Sequence, residues 1–367
     1  MTKIPYVRLE AQNTAIEDEI VEAVRGVVRH GSYINGPEVA EFEKQVGAYL
    51  GVEHVVGVNS GTDALMLAMR AHGIGPGDEV ITVSHTYFAS VTAVIMVGAK
   101  PVLVDVDEDS MVISPDAIEQ AISSKTRAVI AVHLNGYSCD LDRIQEICKR
   151  HQLTLIEDVA QAFGAKFNGE LLGSRNTGCF SMHPLKVLAA LGDAGFVTTN
   201  DDEIANNLRK QRSLGHRDRD HIDSISGNAR LDTLHAAILL KKLPYVSDYI
   251  ERRQHHEGIY RSELRNVRLP PTNPKIKGVS CPFVIRHPRR NELMARLSEA
   301  GIDVKIHYPI PTHLQAPLLS YGPFHLPVSE QVVREIISLP SSAELSDNER
   351  DRVIEAVNEA AASLVGQ

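Results

Sequence analysis

The sequence predicts an α/β protein: a large domain with a mostly parallel seven-stranded sheet flanked by helices, followed by a smaller C-terminal α+β domain. Short β-branched runs alternate with helix-length segments, which is the rhythm of a parallel sheet. Those runs are continuously apolar, as strands covered on both faces must be. The pattern then changes after Asp202, where helical segments and a Pro-rich stretch follow. The seven runs are His54–Val58, Glu79–Val83, Pro101–Asp105, Ala128–His133, Leu153–Glu157, Gly178–Ser181 and Phe196–Thr199.

Ahead of them, Ile16, Ile20, Val24 and Val27 fall at helical spacing. A second helix starts after Gly36-Pro37, with Val39, Phe42, Val46 and Leu50 on one face. After Asp202 one long helix is expected from Arg230 to about Arg261, and Leu269–Pro274 is a connection. Val279–Arg286 is then a strand and Arg290–Ala300 a helix. His307–Pro311 is irregular, and Asn348–Leu364 is a closing helix. The expected division is a large domain over 1–240, a connecting helix over 241–264 and a small domain over 265–367.

The chain has 367 residues, 43% hydrophobic and 23% charged, which excludes disorder and fibrous repeats. A net charge of −9 is the wrong sign for affinity based on phosphate-backbone contacts, so no nucleic-acid partner is expected. No secretory h-region precedes Arg8, and the uncharged span from Val80 to Ala99 is broken by Ser84, His85, Thr86, Ser90 and Thr92, so no membrane partner is expected either. Cys139, Cys148, Cys179 and Cys281 match neither a zinc site nor a disulfide framework, giving a reduced, cytoplasmic expectation and no metal.

Gly73-Ile-Gly75-Pro-Gly77 precedes a strand instead of following one, so it is a turn and not a dinucleotide loop. No Walker A, His-Glu-x-x-His or Gly-x-Ser-x-Gly run occurs, and His255-His256 is expected as a solvated pair on a charged helix face. Asn59–Leu65 follows a strand and opens an apolar helix. Its free N–H groups can cradle an anion, although alone it is explained as an ordinary helix capped by Ser60 or Thr62. Glu157 and Asp158 end an apolar strand where open α/β sheets bind ligands. Glu157 fits a structural cap, whereas Asp158 needs a cation. Lys186 follows a strand and precedes the apolar run Val187–Gly195. Low dielectric would lower its pKa and make it a nucleophile for carbonyl carbon. A phosphorylated, carbonyl-bearing pyridine needs all three elements, and pyridoxal phosphate is such a molecule.

Seven motifs in order resemble the DegT/DnrJ/StrS family of nucleotide-sugar aminotransferases, of fold type I. They are Gly36-Pro37-x-Val39-x-x-Phe42-Glu43, Ser60-Gly61-Thr62-x-Ala64-Leu65, Thr86-Tyr87-Phe88-Ala89 and Glu157-Asp158-x-Ala160-Gln161-Ala162, then Ser181-x-His183-x-x-Lys186, Asn228-x-Arg230-Leu231-Asp232 and His307-Tyr308-Pro309-x-Pro311-x-His313. The resemblance implies an aspartate aminotransferase-like fold and pyridoxal 5'-phosphate held on Lys186 as the Schiff-base lysine. Asp158 would pair with the pyridinium nitrogen, an attraction of roughly 4 kcal/mol at about 4 Å and permittivity of about 20. Tyr87 would stack on the ring and Gln161 would bond its phenolic oxygen. Gly61, Thr62 and Ser181 would hold the phosphate, and Asn228 would reach the phosphate of a neighbouring subunit in a homodimer with shared sites. His183 is either a contact of the site or a packed residue.

The implied reaction moves an amino group, from glutamate by family habit, to a keto-sugar on a nucleotide diphosphate by a ping-pong mechanism. The 3-keto position is favoured over the 4-keto position by the run after Lys186. The basic stretch Arg209–Arg219, with Arg212, is either a clamp for the diphosphate or a solvated charge run, and His307, Tyr308 and His313 would contact substrate at the mouth of the site. Gly192-Asp193-Ala194-Gly195 departs from the family by its alanine, which would be strained if that position required positive φ. A sugar dehydratase, a keto-inositol aminotransferase and a non-catalytic regulatory homologue are the alternatives.

Overall fold

Three helices precede the sheet: α1 (Leu9–Thr14), α2 (Glu17–His30) and α3 (Pro37–Leu50). The computed structural model describes residues 3–364, so the ends of the two expected domains, 1–2 and 365–367, lie outside the described residues. Helix α2 carries Glu17, Asp18 and Glu19 in its first turn and Arg29 and His30 in its last, complementing the helix dipole. It stops at Gly31, whose φ of 71° lies in the left-handed region open to glycine.

The chain then alternates β1 (His54–Val58), α4 (Gly61–Ala71), β2 (Glu79–Val83), α5 (Ala89–Met96), β3 (Lys100–Val104) and α6 (Pro115–Ala121). Next come β4 (Thr126–Val132), α7 (Leu141–His151) and β5 (Thr154–Asp158). Short strands β6 (Lys166–Phe167) and β7 (Glu170–Leu171) turn aside before β8 (Thr177–Ser181) and β9 (Gly195–Thr199) complete the sheet. Its order is β1-β9-β8-β5-β4-β2-β3, with seven strands. Only β9 runs antiparallel to its neighbours. The expected seven runs are therefore the strands of this sheet, displaced by at most two residues at their starts. Residues of β8 and β9 are buried along nearly their whole length, because helices cover both faces. Phe180 and Phe196 stack 4.3 Å apart in the core between them. The turn expected at Gly73–Gly77 links α4 to β2.

Helix α8 (Asp202–Gln211) follows. The long helix expected over Arg230–Arg261 is two helices, α9 (Thr233–Lys242) and α10 (Val246–Glu263), separated by a 3-10 turn at Leu243–Tyr245. Pro244 lacks the N–H that an unbroken helix would require there. His256 is also not solvated: it is 1% exposed, on the inner side of α10, while His255 faces water.

Strand β10 (Ile276–Lys277) joins β6 and β7 in a three-stranded sheet. The strand expected over 279–286 is confined to β11 (Phe283–Arg286). Just before it, Val279 N and Cys281 N donate instead to Gly136 O and Asn135 O, both 3.1 Å, tying that segment to the turn that follows β4. Helices α11 (Arg290–Glu299) and α12 (Pro327–Glu335), strand β12 (Ile336–Leu339) and helix α13 (Asp347–Ala362) complete the chain, with β12 antiparallel to β11. A second core gathers Tyr260, Phe283, Leu293, Leu297, Val353 and Val357. Ile4 belongs to it too, since the N-terminal segment bridges to Ile302.

Candidate active site

Strands β5 and β8 run parallel and bring Asp158 beside Cys179, at the sheet's carboxyl edge. Two residues on, Ser181 ends β8, and a tight turn closes with Lys186 N donating to His183 O at 2.9 Å. Gly61, first residue of α4, packs directly on Ser181: a Cβ there would lie 2.7 Å from Ser181 Cβ. Side-by-side strands and one close approach thus assemble the anion cradle, the carboxylate and the amine.

They border a cavity of about 560 Å³. Lys186 lines it, and its Nζ makes no hydrogen bond or ion pair among the described residues. Burial lowers the pKa of this amine, against the opposing influences of Cys281 and Asp158. An amine so placed is less often protonated and more nucleophilic. Burial conversely raises the pKa of Asp158, while Ser90 Oγ, donating to Oδ2 at 2.8 Å, and Ala160 N, donating to Oδ1 at 3.1 Å, favour its ionised form. Glu157 points the other way, as alternation along a strand requires. It accepts from Gly173 N at 3.0 Å and Asn176 Nδ2 at 2.8 Å. His133 Nδ1 accepts Cys139 N–H, so its Nε2–H is the donor to Glu157. That carboxylate is structural, as expected.

The first N–H groups of α4, on Gly61 and Thr62, donate to no group among the described residues, whereas Ser60 Oγ caps the helix at Asp63 N, 3.1 Å away. Both the anion cradle and the ordinary cap are therefore present in one turn. Tyr87 is 60% exposed and lies over the cavity with its ring 5.6 Å from that of Tyr308. Gln161 also lines the cavity, with Oε1 accepting from Asn135 N at 2.7 Å and Nε2 donating to Tyr308 OH at 3.0 Å. His183 and His307 complete the set that the structure brings together. Burial pushes the His307 pKa down to about 4, aided by the charges of Lys186 and Lys305, so this imidazole is neutral.

Three expected residues are elsewhere. Arg212 is tied to Glu43 and to Gly57 O, the latter at 2.9 Å, and does not line the cavity: its charge is spent inside the fold. His313 is buried against Ser84 Oγ and near Glu330 Oε1, 3.5 Å away, also off the cavity. Asn228 is exposed, with Oδ1 accepting from Arg230 Nε at 2.9 Å, and does not line the cavity of its own chain. The basic stretch is partly neutralised, since Lys210 and Arg217 both pair with Asp223. Ala194 has no positive φ, so the departure after the lysine carries no backbone strain.

Sequence reasoning missed Ser90, Tyr6, Cys281 and Arg253, which line the same cavity. Ser90 stands four residues after Thr86 in the Thr86–Ala89 motif, one helical turn on. Arg253 had a signal as well: Val246, Ile250, Arg253, His256 and Tyr260 repeat at helical spacing, and that stripe is the buried face of α10.

The residues present fit pyridoxal phosphate. A glycine-lined cradle with free N–H groups suits a phosphate. An unpartnered amine suits a carbonyl, and a buried, doubly hydrogen-bonded carboxylate suits a ring cation.

The profile described as the DegT/DnrJ/EryC1/StrS aminotransferase family matches residues 14–358. The chain is 42% identical to dTDP-3-amino-3,6-dideoxy-alpha-D-galactopyranose transaminase of Aneurinibacillus thermoaerophilus, over 97% of this chain and 99% of that protein. It is 38% identical to a protein of Geobacillus stearothermophilus named pleiotropic regulatory protein, over 97% and 98% respectively. Among solved structures, Streptomyces venezuelae DesV in complex with a ketimine intermediate superposes with a TM-score of 0.96 at 40% identity, covering 98% of this chain and 99% of that one.

Proposed function

The chain belongs to the DegT/DnrJ/EryC1/StrS aminotransferase family, and from that premise we propose that it moves an amino group from L-glutamate to the 3-keto group of a nucleotide-diphosphate-linked sugar in a ping-pong cycle. It is a pyridoxal-phosphate-dependent aminotransferase. When bound, the cofactor supplies an electron-poor ring that stabilises the negative charge left as a proton leaves the carbon bearing nitrogen. The rest falls to this chain's own side chains.

Lys186 holds the cofactor through its amine and, once released, takes and returns the proton at Nζ. Its lowered pKa suits both tasks. Asp158 pairs with the pyridine nitrogen and keeps it protonated. Gly61, Thr62 and Ser181 hold the phosphate, Tyr87 covers the ring, and Gln161 bonds the phenolic oxygen. His183, His307 and Tyr308 bound the space left for the sugar. Asn228, exposed and off its own cavity, reaches the site of a second subunit, which makes the active form a homodimer.

The observation that carries this reading is the amine of Lys186, unpartnered among the described residues, sharing one cavity with the buried carboxylate of Asp158. The 3-keto position follows the name of the Aneurinibacillus relative. The test is turnover of glutamate with 3-keto and 4-keto nucleotide sugars, after borohydride has been shown to fix the cofactor's mass on Lys186. Exclusive 4-keto turnover overturns the position, and no turnover with either sugar overturns the substrate class.

A further inference from the structure

Three arginines are buried among the described residues: Arg253, Arg286 and Arg350. Two of them face carboxylates, Arg286 with Glu335 at 2.8 Å and Arg350 with Asp347 at 2.9 Å. Arg253 is different. It is 6% exposed, yet Nη1 only donates to Ser280 O and Ser341 O, each a long 3.3 Å, and its Nε is buried with no partner. No carboxylate pairs with it among the described residues.

A guanidinium cannot shed its proton inside a protein, so it cannot escape burial by becoming neutral as Lys186 can. A buried charge without a counter-charge is a standing cost. That cost is removed when an anion arrives. Arg253 lines the same cavity as Lys186, together with Tyr6, Cys281 and Ser341.

We propose that Arg253 is the carboxylate-binding residue for the amino donor, an inference that rests on the aminotransferase reading above. Two anions enter such a site, the donor's carboxylate and the sugar's diphosphate, and both offer oxygens to a guanidinium. The carboxylate is the better match. It is planar and carries one charge, as does the fork, whereas a diphosphate would bring two charges to one cation.

The test separates the two half-reactions in the holoenzyme by cofactor absorbance, using L-glutamate for one and the nucleotide keto-sugar for the other. Arg253→Gln should raise the glutamate concentration for half-saturation about 10- to 100-fold, the usual range for losing a charged hydrogen-bond partner, and leave the sugar half-reaction unchanged. Arg253→Lys should fall between. Glutarate, which has both carboxylates and no amine, should raise the thermal midpoint of wild-type cofactor-free protein and not that of Arg253→Gln. If the glutamine variant does not fold, Arg253→Lys decides: a glutarate shift smaller than that of wild type supports the inference, and an equal shift overturns it. Unchanged glutamate saturation, or a defect confined to the sugar half-reaction, overturns the inference. Failure of wild-type holoenzyme to react with any amino acid would instead overturn the aminotransferase reading.

Discussion

Ser90 Oγ donates to Asp158 Oδ2 at 2.8 Å, and Thr86 Oγ1 stands 2.9 Å from Ser90 Oγ. The first contact fixes the direction of the second, because Ser90 gives its only hydroxyl proton to the carboxylate and must accept one from Thr86. A two-hydroxyl relay therefore supports Asp158, one of the two acids that line the cavity among the described residues.

Replacing Ser90 with alanine should loosen the cofactor. Asp158 would lose one of its two donors and its ionised form would be costlier, by about 1–3 kcal/mol. Absorbance retained after repeated desalting measures this, and full retention would mean the relay is incidental.

The amine of Lys186 should destabilise the cofactor-free fold. Its pKa is lowered from the ordinary 10.5, so between the lowered value and 10.5 the unfolded chain holds more protons than the folded one. Stability attributable to this group thus rises with pH through that window and is lowest below it. Lys186→Met should abolish turnover yet be more stable than wild type at neutral pH, with the gap closing toward pH 10. Chemical denaturation at several pH values would show it, and a less stable variant at pH 7 would refute the argument.

Gly61→Ala should act on cofactor binding through space alone. The added carbon would sit 2.7 Å from Ser181 Cβ. Such overpacking costs about 1–3 kcal/mol, and here the strain falls on the cradle. Titrating pyridoxal phosphate into cofactor-free protein should show weaker binding, with the thermal midpoint of that protein also lowered.

Arg212→Ala should damage stability and spare substrate affinity. Removing it strands Glu43, which also holds Gly57 N at 2.8 Å. The penalty should approach about 3 kcal/mol, typical of breaking one side of a buried pair. An increase in the KM for the sugar, with stability intact, would return Arg212 to the substrate.

His256 should make the fold acid-sensitive. Burial, with Arg252 and Arg350 nearby, pushes its pKa from 6.5 to about 4, and neither ring nitrogen has a partner among the described residues. As pH falls from 6.5 toward 4 the unfolded chain takes up a proton that the folded chain refuses, so stability declines across that interval. His256→Leu should lose less stability than wild type between pH 7 and 4.5 in urea titrations. Equal losses would remove this histidine from the account.

The central sheet was legible because each of its strands is apolar on both faces, a pattern that needs no knowledge of the neighbours. That Lys186 and Asp158 belong to one cavity was legible for a related reason: a lysine and an acid set within apolar runs contradict their own solvation. Arg212 and His313 misled because their partners are 169 and 229 residues away, at Glu43 and Ser84. Residue type alone could not tell an internal anchor from a substrate contact. Strand β12 went unseen since only four residues long and joined directly to α12, it has no turn to announce it. Arg253 and His256 were hidden by the charged company they keep along α10.

Helix α10 has Val246 and Ile250 in the first core, Arg253 at the cavity and Tyr260 in the second core. At about 1.5 Å per residue, its 18 residues form a rod of about 27 Å pinned at both ends. One inserted residue between Ile250 and Tyr260 would swing everything beyond it by about 100°, turning the aromatic anchor away from its seat. Evolution can therefore exchange side chains along this rod far more readily than it can lengthen or shorten it, and indels among descendants should gather in the flanking loops.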